Sequence, residues 1–312
     1  MTGLSAETRA MLAQEGLAPR KRLGQHFLVD RNVVSRMIAL AEVAPDEAVL
    51  EIGPGLGALT DALAARAARL YVVEYDRGLA EVLRRKLAAV PNTRVIEGDA
   101  VTLDLRGAIQ EGTVKVVASL PYNVAVPILF RLIDERAIFS DVTVMVQREM
   151  AERLLARPGT RAYGVPSLLF QLYAEPRGRF RVPPSAFYPR PQVTSEVIRV
   201  RLSLAPRIPV DDPGLLRALV RAAFNQRRKM LRNALQTLPP RLALSADAWD
   251  EIFAATGIDG RARGETLDLP AFGALADAAG RALAAGGAHP RRSRRADRGS
   301  SPASKSHVGQ GA

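Results

Sequence analysis

Four short apolar runs, each stopping at a residue with chemistry to offer, constrain this chain more than any other feature. Ala48 to Ile52, Arg69 to Tyr75, Thr93 to Ile96 and Val114 to Ala118 are short and rich in β-branched residues, so they read as buried strands of an open α/β sheet. The first runs into Gly53-Pro54-Gly55-Leu56-Gly57, the second ends at Glu74, the third is followed by Asp99, and the fourth delivers Ser119-Leu120-Pro121-Tyr122. Ligands of such sheets sit at the carboxyl ends of the strands. The four ends therefore describe one site.

Each end is weak evidence alone. Glycines at Gly53 and Gly55 let the backbone turn tightly and approach a ligand before a helix begins. Read as G-x-G-x-x-A, the loop also fits a dinucleotide site, so a nicotinamide or flavin enzyme stays a rival at this point. Glu74, about twenty residues on, is where nucleotide folds place the acid that accepts ribose hydroxyls. Asp99 can accept an adenine amino group, the plain alternative being a cap on the next turn. In Ser119 to Tyr122, a small hydrogen-bonding residue, a Leu, a rigid Pro and an aromatic form a clamp for a flat heterocycle carrying an amino group. The competing reading is a strand, a Pro turn and a core tyrosine. Taken together the four ends describe an adenosine pocket beside a base-sized clamp, which leaves a dehydrogenase remote.

Charge adds a partner. The 312 residues carry a net charge of +12 and the pI is near 10.7, which points to a polyanion such as nucleic acid or an anionic membrane surface. Only five of the 44 basic residues are Lys, so an Arg-rich composition inflates the signal. Residues 281–312 hold seven basic residues against Asp297 alone and so account for half of the net charge. The other half belongs to the body. There is no Cys, and His26, His289 and His307 are too scattered for a metal site, so no metal is expected. No run approaches the ~18 apolar residues of a membrane span, and no signal-peptide core opens the chain. A cytoplasmic protein without a membrane partner is expected.

The rest of the chain falls into order around the four runs. A short helix over residues 1–18 leads to a basic cluster, Arg20, Lys21 and Arg22, which reads either as solvated surface or as an RNA-facing arm. Asn32 to Ala44 has helical apolar spacing. Asp141 to Gln147 reads as another strand; Ser167 to Ala174 and Ser195 to Leu202 read as an antiparallel pair. Between that pair lies Phe187-Tyr188-Pro189-Arg190-Pro191, stiff enough to wall a cleft. After a linker at 206–213 only helices are expected, at Pro213 to Asn225, Lys229 to Thr237, Ala246 to Thr256 and Asp268 to Leu283. Trp249 sits at core spacing. Arg227, Arg228, Lys229 and Arg232 cluster where the first two helices meet. From Ala284 on, Gly, Ser, Arg and Pro imply disorder.

The segments G-Q-H-F-L, E-I-G-P-G-L-G-A-L-T, E-G-D-A, S-L-P-Y-N-V, F-Y-P-R-P-Q-V, F-N-Q-R-R-K-M-L-R-N and G-E-T-L together resemble the ribosomal RNA adenine N6,N6-dimethyltransferases, in order from about Arg20 to about Gly280. The resemblance implies a Rossmann-like class I methyltransferase sheet (23–205) behind a basic arm (1–22), a small helical RNA-binding domain (206–283) and a basic tail (284–312). It implies S-adenosylmethionine as co-substrate, held by His26, Leu28, Gly53, Gly55, Glu74, Asp99 and Ser119. Ser119, Leu120, Pro121 and Tyr122 would carry the reaction, and Arg20, Lys21, Arg22, Arg227, Arg228, Lys229 and Arg232 would face RNA. The implied reaction is dimethylation of two adjacent adenosines in the 3′-terminal hairpin of 16S rRNA, on the immature small subunit, by a monomer. Two positions depart from the family pattern: Ser119 and His26 both stand where Asn is usual. The rivals are the related large-subunit rRNA adenine methyltransferases of macrolide resistance and a non-catalytic assembly factor that kept the fold.

Overall fold

A computed structural model of the chain describes residues 3–110 and 112–286. Among them run nine strands: β1 (Phe27–Leu28), β2 (Ala48–Ile52), β3 (Arg69–Glu74), β4 (Thr93–Glu97), β5 (Val114–Ser119), β6 (Phe139–Gln147), β7 (Ala174–Val182), β8 (Phe187–Tyr188) and β9 (Ser195–Leu202). Seven form one sheet in the order β4-β3-β2-β5-β6-β9-β7, and β1 pairs with β8 apart from it. From β4 across to β6 all pairings are parallel, whereas β9 runs antiparallel to both β6 and β7.

The apolar runs are continuous because each central strand feeds two cores. In β2, Ala48, Leu50 and Ile52 face one core and Val49 the other; in β3, Tyr71 and Val73 oppose Leu70 and Val72. With side chains alternating every residue, a sheet covered on both faces needs apolar groups throughout. The helix at Arg31–Ala41 covers one face, with Asp30 capping it by accepting from the N–H groups of Asn32 and Val33. The helix at Ala125–Asp134 covers the other, burying Ile128, Leu129, Leu132 and Ile133.

One strand expected from the sequence is a helix. The sequence pattern predicts one arm of the antiparallel pair over residues 167–174, but Val165–Gln171 is helical, and the strand follows it at Ala174–Val182. Pro166 starts that helix, and the Ser167 hydroxyl accepts from Gly164 N at 3.1 Å while donating to Arg153 O at 2.6 Å. The true strand is disguised by Pro176 and Gly178, which flank an irregularity in its pairing with β9. β7 is the last strand of the sheet, the place where proline costs no ladder bond.

From Pro213 on, the elements among the described residues are helices, Pro213–Asn225, Leu231–Leu235, Ala246–Thr256 and Leu269–Ala284, with 3-10 turns at Pro240–Leu242 and Gly264–Thr266. Trp249 is 1% exposed and stacks on Phe253, ring centres 5.9 Å apart. The expected disordered tail lies, from residue 287, outside the described residues. No described helix is long and apolar enough to cross a membrane.

Candidate active site

Because β2, β3, β4 and β5 are parallel neighbours, their carboxyl ends open on one edge and line one cleft. Past β2 the chain turns through Gly53 and Gly55, with φ of 68° and 60°. A Cβ on Gly53 would lie 3.2 Å from the Pro121 ring, and one on Gly55 would sit 2.9 Å from the Phe27 ring. The loop is thus packed between the S-L-P-Y segment and the N-terminal arm. Gly55 N donates to Glu74 Oε2 at 3.3 Å and Asp76 N to Oε1 at 2.8 Å. Burial pushes the Glu74 carboxyl up to about 7, with those two N–H groups pulling against it. Asp99 spends Oδ1 on the N–H of Val101 at 2.8 Å, and Oδ2 makes no hydrogen bond to the described residues.

Ser119 closes β5, and Leu120 N still donates to Met145 O of β6 at 3.1 Å, carrying extended backbone one residue further. Val124 N donates to Pro121 O at 3.2 Å, closing a turn. With Pro121 O engaged, Leu120 O is the one that accepts from no described residue. The Ser119 hydroxyl likewise has no side-chain bond among the described residues. Two acceptors thus stand side by side at the strand tip. Tyr122 follows, its ring 5.5 Å from His26 at a 32° tilt and its hydroxyl 2.5 Å from Ser195 Oγ.

The N-terminal arm forms the opposite wall. Asp76, 4% exposed, holds it twice: Arg20 pairs with Oδ2 at 3.0 Å and Gln25 Nε2 donates to the same oxygen at 3.2 Å. Arg20 is therefore tied to the fold, whereas Lys21 and Arg22 stand exposed in a 3-10 turn. His26 Nδ1 donates to Pro189 O at 2.6 Å, and β1 pairs with β8, which brings Phe187 into the cleft. Sequence reasoning missed Gln25, Asp76, Tyr75 and Ser195. Tyr75, next to Glu74, is 58% exposed on the cleft rim; an aromatic beside an acid at a strand end was the available signal.

A second cavity continues the cleft past Ser119 and His26 toward Leu28 and the glycine loop. Glu51 reaches its lining, and Oε2 of this carboxyl is buried without a hydrogen-bond partner; burial pushes it up to about 8. A free acceptor at Asp99, a buried acid at Glu74 and an orphaned carboxylate oxygen at Glu51 suit an elongated ligand: an amino-bearing base, a diol and a cationic end. No cluster of three or more His, Cys, Asp or Glu able to hold a metal occurs among the described residues.

The helical corner splits. Arg227 bonds Glu265 at 3.2 Å and the carbonyls of Arg161 and Tyr163 at 3.1 Å each, and Arg232 pairs with Asp250. Arg228 and Lys229 are exposed and make no such bond among the described residues.

Residues 16–272 match the family model described as ribosomal RNA adenine dimethylase. The chain is 43% identical over 277 residues to ribosomal RNA small subunit methyltransferase A of Moorella thermoacetica, covering 86% of this chain and 95% of that one. It is 44% identical over 276 residues to the protein of the same name from Geobacter sulfurreducens, covering 88% and 98%. Among solved structures it is similar to a dimethyladenosine transferase from Plasmodium falciparum, with a TM-score of 0.69 at 23% identity over 80% of this chain and 96% of that one. The 23S rRNA methyltransferase ErmE gives a TM-score of 0.63 at 25% identity, over 81% and 99%.

Proposed function

The chain belongs to the ribosomal RNA adenine dimethylase family, and from that premise we propose that it dimethylates N6 of two adjacent adenosines in the 3′-terminal hairpin loop of 16S rRNA, with S-adenosylmethionine as co-substrate. The observation that carries the chemistry is the pair of open acceptors, the Ser119 hydroxyl and the Leu120 carbonyl, beside the Tyr122 ring at the end of a nucleoside-shaped cleft. The relatives sharing 43–44% of residues over nearly their whole length are named for the small subunit, which favours that RNA over the large-subunit alternative.

The residues present fit the co-substrate. Asp99 Oδ2 accepts the adenine amino group, Glu74 accepts the ribose hydroxyls, and Gly53 and Gly55 admit the nucleoside against bare backbone. His26 and Leu28 border the second cavity, where Glu51 Oε2 meets the ammonium end. When bound, S-adenosylmethionine supplies a methyl group on a sulfonium, already activated for displacement.

An exocyclic adenine amine is a poor nucleophile because its lone pair is delocalised into the ring. Accepting its two N–H groups at Ser119 and Leu120 draws that lone pair out of conjugation and aims it along the cleft. Pro121 fixes the backbone that presents the carbonyl, and Tyr122 holds the base flat by its face. The nitrogen gains a methyl as the methyl–sulfur bond breaks and the thioether leaves with its electron pair, and the surplus proton on nitrogen goes to water, so no strong base is required. The target base leaves its stack first, at least cost in a hairpin loop. The protein works without a metal, as a monomer in the cytoplasm, on the immature small subunit.

Glu74 gives this cleft a pH dependence. Its carboxyl titrates near 7, and ribose hydroxyls bind the ionised form better. Glu51, pushed up to about 8, must likewise ionise to meet the ammonium end, so co-substrate affinity is expected to be flat only above about pH 8 and to weaken below it, by up to about tenfold per unit for each carboxyl. Calorimetric titration between pH 5.5 and 8.5 reads this out. Glu74→Gln is expected to bind more weakly at high pH and to lose the steeper fall that sets in near pH 7, keeping the shallower one that Glu51 causes; an unchanged profile would remove Glu74 from the ribose site.

RNA contact rests on Lys21, Arg22, Arg228 and Lys229, with Arg20, Arg227 and Arg232 shaping the surface through their carboxylate partners. Replacing Arg228 and Lys229 by Ala is expected to reduce the slope of log affinity against log salt by about 1.5, at ~0.7 to 0.9 per phosphate contact. Filter binding over a salt series measures it, and an unaltered slope would mean that this corner faces solvent. The function itself is tested by mass spectrometry of rRNA from a deletion strain. Small-subunit RNA is expected to lose its dimethyladenosine, and loss from large-subunit RNA alone would refute the assignment.

A further inference from the structure

We propose that Ser195 is a positioning residue for methyl transfer, holding the Tyr122 ring at the angle at which it grips the target base; this rests on the function proposed above. Ser195 is the first residue of β9. Because β9 runs antiparallel to β6, it starts at the edge where the parallel strands end, opposite Gln147 of β6 and Val182 of β7. Its side chain thus arrives beside the cleft from a strand that contributes nothing else to the clamp.

Ser195 is 0% exposed, and a hydroxyl buried so completely is costly unless bonded. Its one side-chain bond among the described residues is to the Tyr122 hydroxyl, at 2.5 Å. Burial pushes that phenol above its ordinary value, so it stays neutral at working pH and keeps a proton to share with serine. The near end of the ring is fixed by the turn that Val124 N closes on Pro121 O, and its flank by His26. Only the hydroxyl end remains, and Ser195 holds it. His26 is itself bonded to Pro189 O, so the segment that walls the cleft stands behind one outer support of the ring while the start of β9 supplies the other. Without the serine, the ring pivots about its Cβ, and the amine it holds swings off the line of displacement.

The test compares Ser195→Ala, Tyr122→Phe and the double variant in single-turnover methyl transfer, with co-substrate binding measured separately. Each single variant is expected to lower kcat by about tenfold, between no effect and the ~10²-fold cost of a 1 Å misplacement. RNA KM and co-substrate affinity are expected to move little, and the double variant to be no worse than either single. Tyr122→Phe leaves the serine in place, so it decides the matter if Ser195→Ala folds poorly. In protein labelled with 13C at tyrosine Cζ, the resonance that vanishes in Tyr122→Phe is expected to shift in Ser195→Ala while the others stay. Normal kcat in both singles, multiplied losses in the double, or an unmoved resonance would each overturn the proposal. A wild-type protein that transfers no methyl group would instead overturn the function, and the resonance would still decide whether Ser195 sets the ring.

Discussion

Replacing Tyr122 by Ala is expected to lower kcat by about a thousandfold while leaving co-substrate affinity within about threefold of wild type. Two losses combine. Stacking of a base on an aromatic is worth ~1 to 3 kcal/mol, and a reacting atom displaced by about 1 Å costs on the order of 10²-fold in rate. The co-substrate is spared because the contacts proposed for it lie past the ends of β2, β3 and β4, at Ser119 on the near side of Pro121, and at Leu28 and His26, whose ring Pro189 O still holds. Pre-steady-state transfer to unmethylated small subunits, set beside calorimetric binding of S-adenosylmethionine, separates the two quantities. Equal losses in both would mean that the ring supports the nucleoside and not the target.

Gly55→Val is expected to do the reverse, cutting co-substrate affinity by about 10²-fold. Gly55 has a φ of 60° and a Cβ built there would approach the Phe27 ring to 2.9 Å. A left-handed backbone costs an L-residue ~1 to 2 kcal/mol, more for a β-branched one, and overpacking adds ~1 to 3 kcal/mol. In the free protein the loop relaxes away from this strain. Binding must reimpose it, together with the 3.3 Å bond from Gly55 N that holds the Glu74 carboxyl in place. The measured quantity is the dissociation constant, with thermal unfolding as the check on folding. Affinity within a few-fold of wild type would show that the nucleoside does not lie against this loop.

What the sequence made legible follows from how far each determinant acts. Buried parallel strands spell themselves in consecutive residues, so β2, β3, β4, β5 and β6 were read within one or two residues of their observed ends. The residues closing them were legible for the same reason, since a strand's end is local. β7 was missed because an edge strand tolerates Pro176 and Gly178, the residues that argue against a strand elsewhere. The segment before it was misread because Val165-Pro166-Ser167-Leu168-Leu169-Phe170 is apolar at either period, and what decides for helix is a bond from Ser167 to Arg153.

The polar supports of the site were the least legible. Asp76 gathers Arg20 and Gln25 across more than fifty residues, and Ser195 meets Tyr122 across 73. Nothing in the local pattern of either segment announces the partner. The same distance effect reshaped the basic corner: a run of Arg227, Arg228 and Lys229 looks uniform in one dimension, yet Glu265 and two carbonyls claim the first of the three.

The most direct measurement is transfer of a labelled methyl group from S-adenosylmethionine to purified, undermethylated ribosomal subunits, followed by nuclease digestion and mass spectrometry of the product. The expected result is N6,N6-dimethyladenosine at two neighbouring positions near the 3′ end of small-subunit RNA, lost in Tyr122→Ala and undiminished by an intact large subunit as competitor. Tight binding of both RNA and co-substrate with no methyl transferred, or label appearing only in large-subunit RNA, would contradict it.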